Sequence, residues 1–235
     1  MLPNDTDSNK LVLDLIRHGE PVGGVRYRGS IDDPLSSTGW NQLTASTQGA
    51  LDDGCQWQKI ISSPMRRCRE FAQQLSEKHD LPLEIYDDLR ELGFGDLEGM
   101  TPQQAWQSYP KLLSDLWEDP ESHTPPNGES FTGFIARVSA CLNQIAEQHN
   151  HQHLLLVVHG GVIRASLNYL IGLSPKNSFQ VEVPYAGMTR LTLYKETDGQ
   201  FRASLNFINR YHGDRYHGDR YHGDRYHGDK SHGDQ

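Results

Sequence analysis

Leu11-Val-Leu-Asp-Leu-Ile-Arg17-His18-Gly19-Glu20 and Leu154-Leu-Leu-Val-Val-His159-Gly160-Gly161 end in the same way, an apolar run that stops on a histidine followed by glycine. Runs of this length, rich in Val, Ile and Leu and bounded by glycine, read as buried strands of a parallel sheet. In open α/β sheets, ligands bind just beyond the carboxyl ends of the strands. Two histidines at such ends, with Arg17 beside the first, describe a place that grips and attacks a phosphate.

Outward from these strands, the chain alternates helix-like and strand-like pieces, an α/β signature. Ser36 or Ser37 with Thr38 caps a helix running to about Asp52. Lys59–Ser62 is a short strand, and Pro64–Lys78 a helix with proline in its first turn. Leu83–Tyr86 is strand-like, and Thr101-Pro102 opens a helix toward Tyr109. Phe131, Phe134, Ile135, Val138, Leu142 and Ile145 fall at helical spacing. Val162–Ile171 follows the second strand as a helix closed by Gly172. Arg190–Lys195 and Phe201–Ile208 flank Thr197-Asp-Gly-Gln200 as a terminal hairpin.

Residues 210–235 differ from everything before them. Arg210-Tyr-His-Gly-Asp214 recurs every five residues and decays to Lys230-Ser-His-Gly-Asp234. With no aliphatic residue the repeat cannot bury a core and matches no solenoid period. It reads as a disordered tail behind a catalytic domain of residues 1–209. Its five histidines have the composition of a Zn²⁺ or Ni²⁺ binder, set against a neutral repeat expansion.

The 235 residues carry a net charge of −9, which argues against nucleic acid as a partner. No stretch approaches the ~20 apolar residues of a membrane span, so no membrane partner is expected. The polar start, Met1–Lys10, lacks an apolar secretory core. Cys55, Cys68 and Cys141 are odd in number and widely spaced, which suits a reducing cytoplasm. Any anionic substrate must therefore be drawn by a local cationic pocket.

The residue types suggest the chemistry. A neutral imidazole at His18 can attack phosphorus and hold the phosphoryl group covalently, provided its other ring nitrogen donates to a nearby acceptor. Arg17 and Arg67 are the candidate clamps, since guanidinium groups bond phosphate oxygens in bidentate, charge-assisted fashion. Of Arg66, Arg67 and Arg69, at most one should point into a site. His159 can donate to the oxygens where charge gathers in the transition state. The N–H groups of Gly160 and its neighbour, opening the next helix, add anion-binding donors. Glu91 is the candidate general acid for the leaving alkoxide, with Asp88, Asp96 and Glu98 as competitors. Asp14, inside the first strand, is either a buried, hydrogen-bonded residue or a group that orients His18. His79, His123, His149, His151 and His153 sit in polar surroundings and read as solvated.

These stretches resemble the histidine phosphatase superfamily, the phosphoglycerate mutase-like group. The likeness rests on Arg17-His18-Gly19-Glu20, Ser63-Pro-Met-Arg66-Arg67-Cys68, Leu89-Arg-Glu91 with Gly95 and Glu98-Gly99, Asn127-Gly-Glu-Ser130, and His159-Gly160-Gly161. The resemblance implies a three-layer α/β/α sandwich on a mostly parallel sheet and a phosphohistidine at His18. It further implies phosphate binding by Arg17, Arg67 and His159, proton transfer by Glu91, and no metal or other cofactor. Pro21 stands where many members carry Thr or Ser, and residues 22–29 lack the asparagine of sugar-phosphate mutases. The stretch from Glu91 to His159 is short for a mutase lid. These departures favour a phosphatase acting on a small phosphorylated metabolite, with α-ribazole phosphatases of cobalamin synthesis nearest in motif. Mutase-type transfer, a non-catalytic phospho-ligand binder and a metal-binding protein built on the tail are the other readings.

Overall fold

The computed structural model describes residues 10–197 and 199–211. Six strands form one sheet in the order β3-β2-β4-β1-β5-β6: β1 (Lys10–Arg17), β2 (Lys59–Ser62), β3 (Leu83–Ile85), β4 (His153–Val158), β5 (Met188–Lys195) and β6 (Phe201–Arg210). The first four are mutually parallel, and β5 and β6 join as antiparallel partners. The aliphatic runs of β1 and β4 pair with each other at the centre, Leu13 opposite Leu154 and Arg17 opposite Val158. That position explains why they are apolar almost throughout: helices cover both of their faces.

The strand alternation divides the core in two. Leu11, Leu13 and Leu15, with Leu154, Leu156 and Val158, pack against Phe131, Phe134, Val138 and Leu142 of α5 (Phe131–Gln148) and Val162 and Ile163 of α6 (Gly160–Ile171). Ile16, Ile60, Leu155 and Val157 face the other way, toward Leu43 and Ala50 of α1 (Ser37–Asp52) and Phe71, Ala72 and Leu75 of α2 (Arg66–His79). The result is a three-layer α/β/α sandwich. A smaller cluster, Leu97, Ala105 and Leu113, closes α3 (Pro102–Ser108) and α4 (Pro110–Glu118) over the loops.

Ser36 caps α1 through Gly39 N–H, and Thr101 with Gln104 forms a full capping box on α3. Helix α2 starts at Arg66 with Met65 as its cap, so Pro64 lies before the helix rather than in its first turn. Helix α4 was not apparent in the sequence. Strand β6 runs through Arg210, opposite Met188, and Tyr211 packs half-buried on the α1/α2 side. The first two residues of the pentapeptide repeat thus belong to the body, and the remainder of the tail, 212–235, lies outside the described residues.

Candidate active site

Adjacent parallel strands deliver the two histidines to one place. His18 N–H bonds Val158 O at 2.9 Å, so His18 and His159 leave the sheet side by side. Their rings meet edge to face, with centroids 5.2 Å apart. His18 Nδ1 lies 2.7 Å from Gly19 O, so it donates its proton there and leaves Nε2 with a free lone pair. Burial, with the Arg67 and Arg17 guanidinium groups nearby, pushes His18 well below the usual imidazole range, and the ring is neutral at pH 7. Burial and Arg67 do the same to His159, whose Nε2 is hydrogen-bonded to Ser63 Oγ at 2.7 Å.

Gly19 is required by a close approach. A Cβ there would stand 2.1 Å from Gly39 O, where the first turn of α1 crosses the strand end. Glu20 O accepts Ser36 N–H, and its carboxylate accepts Ser36 Oγ–H, which fixes this crossing.

Arg67 is held by the loop between β1 and α1: Nη1 donates to Ile31 O at 2.8 Å and Nη2 to Gly29 O. Arg17 stacks over Tyr185, Cζ 4.2 Å from the ring centroid, and donates Nη1 to Val183 O. The Nε of each arginine is buried with no hydrogen-bond partner among the described residues. Buried donors are almost always paired, and two guanidinium donors flanking a neutral imidazole suit an oxyanion. Gly160 begins α6 directly against Arg17, its hypothetical Cβ only 3.5 Å from that Nε. Arg66, by contrast, pairs with Glu70 on the surface.

Glu91 reaches the same place from the segment after β3. Its carboxylate accepts Leu92 N–H at 3.0 Å and Gly161 N–H at 3.3 Å, so it lies on the first turn of α6 beside His159. The Asn127–Ser130 motif holds this segment from behind: Glu129 N–H bonds Gly93 O, and its carboxylate pairs with Arg137, which donates to Asp88 O and Arg90 O. Two of the competing carboxylates are engaged elsewhere. Asp96 accepts Asn127 Nδ2, and Glu98 accepts Phe94 N–H and Ser30 N–H at 3.0 Å each.

Sequence reasoning missed Arg28, Ser63 and Tyr185. Arg28 is buried in the β1–α1 loop, donating to Val22 O, Gly24 O and Asp33. Only the Ser63-Pro-Met-Arg order carried any signal for Ser63. The Asp14 alternatives resolve in favour of the buried, hydrogen-bonded residue. It lies four residues back along β1, about 13 Å from His18, and binds Arg190 at 2.7 Å, Trp57 Nε1 at 2.8 Å and His153 at 2.7 Å. Burial works against its charge, but Arg190 and His153 prevail and hold the carboxyl below its usual range. His153 is therefore not a solvated histidine, and neither is His149, which is buried against Glu84.

The signature of the histidine phosphatase superfamily (branch 1) matches residues 13–204. The chain belongs to this family. It is 29% identical over 164 residues to an uncharacterized phosphatase, PhoE, of Bacillus subtilis, covering 69% of this chain and 78% of that one. It is 30% identical over 161 residues to the adenosylcobalamin/alpha-ribazole phosphatase of Escherichia coli, covering 68% and 78%. Among solved structures, a mycobacterial glucosyl-3-phosphoglycerate phosphatase superposes with a TM-score of 0.74 at 25% identity, over 85% of this chain and 99% of the other. Such family members are phosphatases. No helix among the described residues is long and apolar enough to cross a membrane.

Proposed function

We propose that this chain hydrolyses small phosphomonoesters through a phosphohistidine on His18, and that residues up to Tyr211 form the catalytic domain. The observation that carries this reading is a neutral His18, proton fixed on Nδ1, between two arginines whose buried Nε donors lack partners among the described residues. Arg17, Arg67 and the N–H of Gly160 hold the phosphoryl oxygens. His18 Nε2 attacks phosphorus in line; the P–N bond forms as the P–O bond to the alcohol breaks, and Glu91 gives the departing oxygen its proton. Water then attacks phosphorus, Glu91 takes a proton from it, and the P–N bond breaks to release phosphate. His159 donates to the equatorial oxygens as charge builds there. No step in this sequence calls for a metal or another cofactor. Free Cys55, Cys68 and Cys141 suit a reducing compartment, and we assign the enzyme to the cytoplasm.

Among substrates, α-ribazole phosphate heads the panel because the Escherichia coli relative bears that name. The test is a rapid quench during turnover with a ³²P-labelled phosphomonoester. Acid-labile label on His18, absent from His18→Ala together with hydrolysis, is expected. Label on another residue, or activity retained in His18→Ala, would overturn the mechanism. Supplying a phosphoglycerate with a bisphosphate primer separates the mutase reading: free phosphate is expected, and rapid isomerisation without it would favour a mutase.

A further inference from the structure

We infer that Tyr185 is a positioning residue for the phosphate clamp, fixing the guanidinium of Arg17 before phosphate arrives. The inference rests on the phosphomonoesterase reading above and adds to it a residue from outside the five sequence motifs. Arg17 Cζ lies 4.2 Å from the centroid of the Tyr185 ring, and the His18 ring stands 5.7 Å away, tilted by 43°. Tyr185 is half-buried, so it forms a wall of the phosphate site rather than part of the core.

Residues 183–187 grip Arg17 at both ends. Arg17 N–H donates to Gly187 O at 3.2 Å and Ala186 N–H to Arg17 O at 3.1 Å, which ties the backbone. Val183 O accepts Nη1, and Tyr185 covers a face of the guanidinium. A Cβ on Gly160 would stand 3.5 Å from Nε and 3.7 Å from Cδ, so α6 closes in on the same side chain. An arginine free to turn loses rotamer entropy each time it grips a phosphate. One already stacked and hydrogen-bonded has lost it on folding. Its Nε, unpartnered among the described residues, then stands at a fixed place.

The backbone that displays Tyr185 is strained. Gly187 N–H closes a turn on Pro184 O at 3.0 Å, and Ala186, the third residue of that turn, has φ +54°. Glycine or asparagine is the usual residue at such a place. The other non-glycine residues with positive φ among the described residues are Asp80, Asn127, His151 and Asn209, all of types that enter this region more readily. Ala186 has no polar side chain to help it. It stays because its N–H is bonded to Arg17, its carbonyl accepts Ser46 Oγ–H from α1 at 2.8 Å, and its methyl is fully buried. Strain of this kind persists only where the surroundings over-determine it, and it gathers at ligand clamps.

The test combines isothermal titration of inorganic phosphate with steady-state kinetics, on the full chain. Tyr185→Leu keeps bulk and removes the π-face. It is expected to weaken phosphate binding about 3- to 30-fold, the worth of a partly desolvated cation–π contact. kcat/KM should fall by a similar factor on p-nitrophenyl phosphate and on an alkyl phosphate, because both present the same phosphoryl group to Arg17. Tyr185→Phe, which keeps the ring, should restore most of the loss. In an Arg17→Gln background, Tyr185→Leu should change kcat/KM by less than about twofold, since the group it positions is gone. Should Tyr185→Leu fail to fold in a thermal melt, Tyr185→Met carries the same expectations. Unchanged phosphate affinity in the folded variant, an equal loss in Tyr185→Phe, or an undiminished effect in the Arg17→Gln background would overturn the inference and leave the phosphatase reading intact. Hydrolysis of neither ester by the unaltered chain would overturn the phosphatase reading, while the phosphate titration still decides the stacking.

Discussion

Gly161→Ala displaces Glu91, the proposed general acid, without altering that residue itself. A Cβ built on Gly161 stands 2.2 Å from Glu91 Oε1 and 3.3 Å from the Phe134 ring. It falls about 1.2 Å short of the 3.4 Å at which ordinary contact begins. Phe134 is fully buried on the opposite side, so the carboxylate, at the end of a flexible chain, is the group that retreats. A misplacement of about 1 Å in a reacting group costs on the order of 100-fold. The loss should depend on the leaving group: about 100-fold in kcat for alkyl phosphates, and only a few-fold for p-nitrophenyl phosphate, whose phenolate leaves with little need of a proton. Stability should not suffer, because alanine is favoured over glycine inside a helix by about 1 kcal/mol. The assay is steady-state kinetics on both ester classes together with a thermal melt. Equal losses on the two classes would refute the placement of Glu91 as proton donor. An unchanged alkyl rate would show that the carboxylate acts from somewhere other than the first turn of α6.

Three further outcomes follow from the geometry. His18 and His159 stay neutral when folded but protonate in the unfolded chain below about pH 6.5, so their contribution to stability is intact above that pH and falls as pH drops, by about 1.4 kcal/mol per histidine per pH unit. In melts without phosphate, His18→Gln should therefore show a shallower loss of Tm between pH 7 and 5 than the unaltered chain, and parallel curves would contradict it. Asp14→Asn leaves Arg190 and His153 without their buried carboxylate and should cost about 3 kcal/mol, the low end for breaking a buried pair because Arg190 is partly open to water. Denaturant unfolding measures this, and kcat should hold, since the cluster lies far from His18. Arg28→Gln loosens the loop that holds Arg67 and should raise the inhibition constant of inorganic phosphate about tenfold; no change would mean the loop keeps its shape unaided.

The strands that end on His18 and His159 were legible in the sequence because period and composition are local properties, and both lie at the sheet centre where burial is most complete. The same holds for α5, whose apolar spacing faces the core. Helix α4 was not legible: its buried stripe is reduced to Leu113, and Leu112, Leu116 and Trp117 are only partly buried against a small satellite cluster rather than the main core. Arg28 looked like any loop arginine, because two of its three partners are backbone carbonyls that no side-chain pattern announces. His149 and His153 looked solvated by their neighbours in sequence, yet their partners Glu84 and Asp14 stand 65 and 139 positions away. Composition could not reveal a contact made only when distant strands pair.

The place of β1 between β4 and β5 sets a timetable for the growing chain. Its residues Leu11, Leu13 and Leu15 leave the ribosome well before their neighbour Leu154, which is made roughly 140 residues later. At 5–20 residues per second that interval is about 7 to 28 s. For all of it, a strand with five aliphatic residues has no sheet partner and is open to chaperones or to other nascent chains. The second histidine of the site and Tyr185 are made more than 140 residues after His18, so a chain that stops short of them lacks part of the candidate site. Catalytic competence comes in one step, when the C-terminal strands close over the first.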